Sequence, residues 1–269
     1  MKVYGIDFTS KPSPKKPITG LICELDNGVL RAETFLTWDT FDGFEAMLRH
    51  PGPWIAGMDF PFGQSRRFIE NSGWPQDWSQ YVQHAASLGK ENFVQQLEDY
   101  KRDRPAGDKE HKRQTDRLAG SISPQKLYGV PVAKMFFEGA PRLVEADVTI
   151  PGLKAGDAQR IVVEAYPGVL ARALIGKRGY KNDTKRKQSQ EQQAARRDIF
   201  SALTNGAAKA RFGIDIEASS TLVDDPTGDS LDTLLCAIQA AWAWSLRHQN
   251  FGMPKNTDPL EGWIADPMN

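Results

Sequence analysis

Residues 3–9 read VYGIDFT, a β-rich run that is followed at once by the proline- and lysine-rich residues 11–17. Proline has no backbone N–H to donate, and this segment holds three prolines within seven residues, so it can be neither a helix nor a central strand. The sequence therefore predicts a first strand that ends in a loop just after Asp7.

Predicted strands and one helix continue outward from this first strand. Residues 18–25 and 29–38 predict two further strands, and Asp26-Asn27-Gly28 between them is a strong hairpin signal. A capped helix is expected at 41–49, followed by a fourth strand at 54–60. The first three strands are thus expected to be antiparallel neighbours.

From residue 64 onward, the pattern of the sequence changes. Residues 64 to about 158 mix helix-like stretches with loops and predict a large insertion between the fourth and fifth core strands. A fifth strand is expected at 161–166, helices at 169–175 and 198–210, and a buried helix at 231–246, which is apolar nearly all round. The predicted fold is an α/β fold with a mixed five-stranded sheet, flanking helices and this insertion.

Length and composition limit the possible classes. The chain has 269 residues, with 34 basic and 34 acidic side chains, so we expect a single domain over 1–269 and no uniformly basic surface. Any nucleic-acid partner must be bound by local patches. Two cysteines are too few for a disulfide scaffold or a thiolate zinc site. No apolar stretch approaches the roughly 18 residues that span a bilayer, and no signal peptide is recognisable, so the expected location is the cytoplasm, with no membrane partner.

Four aspartates carry the chemical prediction. Asp7 and Asp59 end the first and fourth strands, whereas Asp229 and Asp232 lie one turn apart at the start of the last helix. If these elements pack together, the carboxylates converge, and their mutual repulsion calls for a cation. Hard oxygen ligands favour Mg²⁺ or Mn²⁺, and a pair of such ions hydrolyses phosphodiesters. Each aspartate alone could instead be a helix cap or a turn former.

Four short motifs carry a family resemblance: Gly5–Asp7, Met58–Gly63, Val163–Pro167 and Asp229–Ala237. The set resembles domain-of-unknown-function family 429, which is predicted to contain nucleases with a ribonuclease H-like fold. The resemblance implies a metal-dependent nuclease that acts on DNA or RNA with two Mg²⁺ or Mn²⁺ ions. It further implies that the four aspartates are the catalytic metal ligands.

Further candidates surround these acids. Glu164 ends the fifth predicted strand and is a candidate ligand or general base. Six basic side chains are candidates for binding substrate phosphates: Arg66, Arg67, Arg113, Lys185, Arg186 and Lys187. The last three could instead belong to a solvated loop with no binding role.

Two other functions stay open. The turn Asp7-Phe8-Thr9-Ser10 is similar to the first phosphate loop of actin-like and sugar-kinase ATP-binding phosphotransferases, although Phe8 stands where those proteins have glycine. The third possible function is that of a non-catalytic binding module with a ribonuclease H-like fold. ATP binding would separate the second from the first.

Overall fold

The computed structural model describes residues 1–268 and contains a seven-stranded sheet. The strands are β1 (Lys2–Asp7), β2 (Ile18–Asp26), β3 (Val29–Trp38), β4 (Trp54–Asp59), β5 (Val148–Thr149), β6 (Asp157–Glu164) and β7 (Asp215–Glu217). Their order across the sheet is β5-β6-β4-β1-β2-β3-β7. Strand β2 runs antiparallel to both of its neighbours, whereas the other pairings are parallel.

The expected three-stranded antiparallel start is confirmed. Strands β2 and β3 are joined through Asn27 and Gly28, which both adopt positive φ as a tight hairpin requires. The prediction of five strands was wrong, because β5 and β7 add one strand at each edge. Their two and three residues are too few to produce a readable alternation of apolar and polar side chains.

Nine α-helices flank the sheet within residues 1–268. They are α1 (Phe41–Leu48), α2 (Arg66–Asn71), α3 (Trp78–Arg102), α4 (Gln114–Leu118), α5 (Val132–Glu145), α6 (Pro167–Ile175), α7 (Gln190–Thr204), α8 (Ala207–Phe212) and α9 (Asp229–Ser245). Among these described residues, no helix has both the length and the apolar character required to cross a membrane.

One predicted helix is displaced. The helix expected at 198–210 is divided into α7 and α8. Helix α7 begins earlier, since Ser189 and Gln192 form a reciprocal capping box at its N-terminus. It ends where Gly206 takes up a left-handed conformation, which separates it from α8.

Two apolar layers cover the two faces of the sheet. Helices α6 to α9 pack on one face, where Leu234 and Ile238 are fully buried. Helices α1, α2, α3 and α5 pack on the other, around Phe60 and Phe136. Helices α2 to α5 all belong to the segment between β4 and β6, the region in which the sequence predicts an insertion.

Candidate active site at the carboxyl edge of the sheet

Asp7 and Asp59 are direct neighbours at one edge of the sheet. They are the last residues of the parallel strands β1 and β4 and are register partners. Adjacent strands lie about 4.8 Å apart, and side chains of register partners point to the same face. The first two predicted ligands are therefore brought together by strand pairing alone.

Two glycines bring helix α9 onto the same face. Gly5 and Gly57 are also register partners, each two residues before its aspartate. A Cβ atom on Gly5 would lie 1.8 Å from the carbonyl oxygen of Thr233, and one on Gly57 would lie 2.3 Å from that of Cys236. Backbone therefore packs against backbone, so that the N-terminal turns of α9 reach the ends of both strands.

The first turns of α9 carry Asp229 and Asp232, but neither side chain caps the helix. Capping is done by Asp225, whose carboxylate accepts hydrogen bonds from the backbone N–H of Ser230 at 3.0 Å and that of Thr227 at 2.9 Å. A capping role for Asp229 or Asp232 is therefore not needed to explain why α9 begins here. Both carboxylates are left for other contacts.

Asp7, Asp59 and Asp229 line one cavity of about 490 Å³, which we call the acidic cavity. Within the described residues, their carboxylates accept no hydrogen bond and form no ion pair. Burial raises the pKa of Asp7 well above its ordinary value, and the neighbouring carboxylates, Asp229 first among them, raise it further. Burial likewise raises the pKa of Asp59 to about 7, and raises that of Asp229.

Asp232 has acquired partners that the sequence did not indicate. It is fully buried, accepts a hydrogen bond from the Tyr180 hydroxyl at 2.6 Å and pairs with the ammonium group of Lys181. Burial disfavours the charged ammonium, but Asp232 together with Tyr180, Asp7 and Asp59 outweighs burial and raises the pKa of Lys181 well above the ordinary value. Lys181 also lines the acidic cavity and partly offsets the repulsion among the aspartates.

The donor set fits a hard divalent cation in its chemistry. Asp7, Asp59 and Asp229 offer carboxylate oxygens, which Mg²⁺ and Mn²⁺ prefer, and these oxygens have no competing donor. Across residues 1–268, however, no three histidine, cysteine, aspartate or glutamate side chains are already gathered closely enough to hold an ion. An ion at this position would require these side chains to move toward one another.

Glu164 is held in a buried ion-pair network. Its carboxylate faces the Arg113 guanidinium with two contacts, at 2.5 and 2.7 Å, and accepts the backbone N–H of Phe62 at 2.9 Å. Arg113 also binds Asp116 at 2.8 Å. Burial raises the pKa of Glu164, and Arg113 opposes that rise. Neither Glu164 nor Arg113 thus offers an unpaired charge to a substrate.

The other basic candidates lie farther from the aspartates. Arg66 pairs with Asp258 at 2.5 Å, and Arg67 pairs with Asp108 at 2.7 Å. The last three candidates form an exposed 3-10 turn and are not among the residues that line the acidic cavity: Lys185, Arg186 and Lys187. The basic segment does contribute to the cavity, but through Lys181 rather than through this turn.

Sequence reasoning missed Lys181 and the two glycines for different reasons. Lys181 is one lysine among many in a basic segment, and its partner Asp232 lies 51 positions away. The glycines did leave a signal, because Gly-x-Asp occurs at the end of both β1 and β4. A repeated small residue two positions before a candidate ligand indicates close packing on the ligand's face of the sheet.

Fold and site together define an α/β protein with a carboxylate-lined cavity at the carboxyl edge of a mixed sheet. Residues 5–254 match the family described as Protein of unknown function (DUF429), and the chain belongs to this family. The family resemblance drawn from the four motifs is thereby confirmed. No curated protein and no solved structure matches the chain.

Proposed function

We propose that this protein is a divalent-metal-dependent nuclease with a ribonuclease H-like fold, which hydrolyses phosphodiester bonds of DNA or RNA. The observation that carries the proposal is the meeting of Asp7, Asp59 and Asp229 in one cavity without hydrogen-bond or ion-pair partners among residues 1–268. Partly buried like charges raise each other's free energy, and a bound cation would relieve that cost.

The order of elements supports the ribonuclease H-like part of the proposal. A hairpin meander, a helix, a parallel strand and a late helix follow one another, with acids at the ends of the first and fourth strands and at the start of the last helix. This arrangement resembles that of ribonuclease H-like proteins. The arrangement gives a reason for two neighbouring strands each to end in an aspartate.

Each residue then has a role. Asp7, Asp59 and Asp229 would hold Mg²⁺ or Mn²⁺, and Asp232 is the proposed fourth ligand once Lys181 releases it. The bound metal would supply Lewis acidity toward water and toward the leaving oxygen of the phosphodiester. Lys181 would then be free to bind a substrate phosphate, while the network of Arg113 with Glu164 and Asp116 keeps the adjoining wall rigid.

Cleavage assays test the activity. Purified protein with Mn²⁺ or Mg²⁺ should cleave single-stranded or structured DNA or RNA, and chelator should abolish the cleavage. The same preparation is tested for ATP binding, because the phosphotransferase alternative requires it. Tight ATP binding without cleavage of any nucleic acid would replace the nuclease proposal with that alternative.

A melting experiment tests the metal site without relying on activity. Asp7→Asn removes one repelling charge, so its metal-free stability should equal or slightly exceed that of the wild type. Excess Mn²⁺ should stabilise the wild type, by about 2.7 kcal/mol at a hundred times Kd, but not Asp7→Asn. Asp39→Asn, at an exposed position outside the acidic cavity, is the matched control. Equal metal stabilisation of all three proteins would remove Asp7 from the site.

A further inference from the structure

Three cavities meet at Asp59 and Lys181. The acidic cavity is the first of them. The second, which we call the apolar pocket, has a volume of about 260 Å³, and the third, the basic cavity, has about 360 Å³. All three are lined by both Asp59 and Lys181, and Tyr166 lines both the apolar pocket and the basic cavity. A single extended ligand could therefore occupy all three at once.

The apolar pocket offers mainly hydrocarbon surface to a ligand. Its walls include the side chains of Phe60, Ile122, Val130, Val132 and Met135. Its charged residues are those of the Arg113 network already described, whose ion pairs are satisfied internally, together with Asp59 and Lys181 at the junction with the other cavities. Ile122 and Val130 nevertheless remain 37% and 55% exposed, which is unusual for large apolar side chains beside a cavity. This surface suits an apolar, planar group.

The basic cavity has the opposite character. Arg172, Lys177 and Arg178 line it together with Lys181. Arg178 pairs with Asp198 at 2.7 Å, and Arg172 lies over the ring of Tyr166, 5.3 Å from its centroid. Lys177 forms no ion pair with any residue in the described part of the chain. A cavity with an unpaired ammonium and further cations nearby suits a phosphate.

We propose that these cavities select an unpaired nucleotide, with its base in the apolar pocket and a neighbouring phosphate in the basic cavity. The inference rests on the proposed nuclease function and names its substrate class, single-stranded or locally unpaired nucleic acid. The apolar pocket, of about 260 Å³, is large enough for one base, whose flat face its apolar walls would contact. A paired base would first have to leave its stack, which costs free energy.

The first test measures binding in chelator, so that no cleavage can occur. Fluorescence anisotropy with a labelled single strand, and with a duplex of the same sequence, gives both dissociation constants. We expect the single strand to bind about tenfold or more tightly than the duplex. Ile122→Asn should weaken single-strand binding about fivefold or more, because apolar contact between Ile122 and the base is lost.

Matched variants separate the two subsites. Leu118→Asn replaces another exposed apolar side chain, 56% exposed and outside the apolar pocket, and should leave binding unchanged. Lys177→Gln should lower the slope of log K against log salt by about 0.7, the value of one lost single-strand phosphate contact. The exposed Lys255, outside the basic cavity, provides the control Lys255→Gln, which should leave the slope unchanged. Melting curves confirm that each variant is folded.

The outcomes distinguish this proposal from the proposed function. Equal affinity for duplex and single strand, or equal effects of Ile122→Asn and Leu118→Asn, would overturn the nucleotide assignment even if Mn²⁺ binds and cleavage occurs. Selective single-strand binding that depends on Ile122 and Lys177, in a protein that Mn²⁺ does not stabilise, would uphold the subsites and reject the nuclease.

Discussion

The ammonium group of Lys181 lies against the carboxylate of Asp232, beside a cluster of aspartates whose other nearby cation, Lys16, is paired with Asp183. Lys181 comes from the segment between α6 and α7, whereas Asp232 belongs to α9. The pair therefore ties a loop to the central helix and places a positive charge at the position proposed for a metal ion. Metal and lysine would compete for the same acid.

This competition predicts the behaviour of Lys181→Met. Without metal, the variant should lose about 1–3 kcal/mol of stability, because Asp232 keeps the Tyr180 hydroxyl but loses its counter-charge. With excess Mn²⁺, stabilisation should be larger than in the wild type, since no ammonium has to be displaced. Chemical denaturation with chelator and with Mn²⁺ measures both quantities. Lys185→Met, at an exposed position of the same segment, is the control, and an identical metal response in both variants would contradict the competition.

The contact between α9 and the strands predicts a strong effect of a single methyl group. Gly57→Ala would place Cβ 2.3 Å from a carbonyl oxygen of α9, so the helix must shift. We expect a loss of about 1–3 kcal/mol and a weakened response to Mn²⁺, because Asp229 and Asp232 move with the helix. Gly179→Ala is the matched control, since nothing lies within 4 Å of its Cβ position. Denaturation with and without Mn²⁺ compares the two, and similar losses in both would show that the contact is not tight.

The raised pKa of Asp59 predicts a pH dependence of the metal-free protein. Its pKa is about 7 in the folded state and about 3.9 in an unfolded chain, so the folded protein binds this proton more tightly. The contribution of Asp59 to stability is therefore greatest below about pH 4 and is lost as pH rises to about 7. With chelator present, the free energy of unfolding of Asp59→Asn should fall less between pH 5 and 7.5 than that of the wild type.

Comparison with the wild type reports Asp59 together with its effect on Asp7, whose pKa it raises. Burial lowers the pKa of His111, whose contribution is lost as pH falls through its titration, and this contribution is common to both proteins. Parallel pH profiles of wild type and Asp59→Asn would mean that Asp59 titrates near its ordinary value. The carboxylates would then be farther apart or better solvated than their placement indicates.

The exposed basic turn remains a candidate for phosphate contacts outside the cavities. Neutralising Lys185, Arg186 and Lys187 together should reduce the slope of log K against log salt by up to about two, from roughly 0.7 per single-strand phosphate contact. Titrations of single-stranded nucleic acid at several salt concentrations measure the slope. An unchanged slope would assign the turn to the solvated alternative.

Local signals predicted the centre of the sheet, and the edges and the cavity lining depended on contacts distant in sequence. The hairpin at Asn27 and Gly28 and the termination of β1 by prolines act within a few residues, so they were readable. The meeting of Asp7 with Asp59 was conditional on how their strands pack, and the parallel pairing of β1 with β4 supplies it. Strand β7 instead depends on pairing with β3, which no local pattern encodes.

The same distinction applies to the site. The aspartates were identified because their spacing along each element is regular, but the partners of Glu164 and Asp232 were not. Arg113 reaches Glu164 across 51 positions, and Lys181 reaches Asp232 across 51 as well. A basic side chain gives no local sign of which acid it will meet, so sequence reasoning assigned Arg113 to substrate when the fold uses it as a counter-ion.

The backbone contact of Gly5 with α9 also bears on when the site can exist. Strand β1 leaves the ribosome before α9, which begins about 220 residues later in the chain. At about 5–20 residues per second, Asp7 waits on the order of ten seconds or more before Asp229 is synthesised. During that interval the carboxylates cannot form their cluster, so a nascent or truncated chain lacks the complete site. The proposed metal site can therefore form only after α9 has been synthesised.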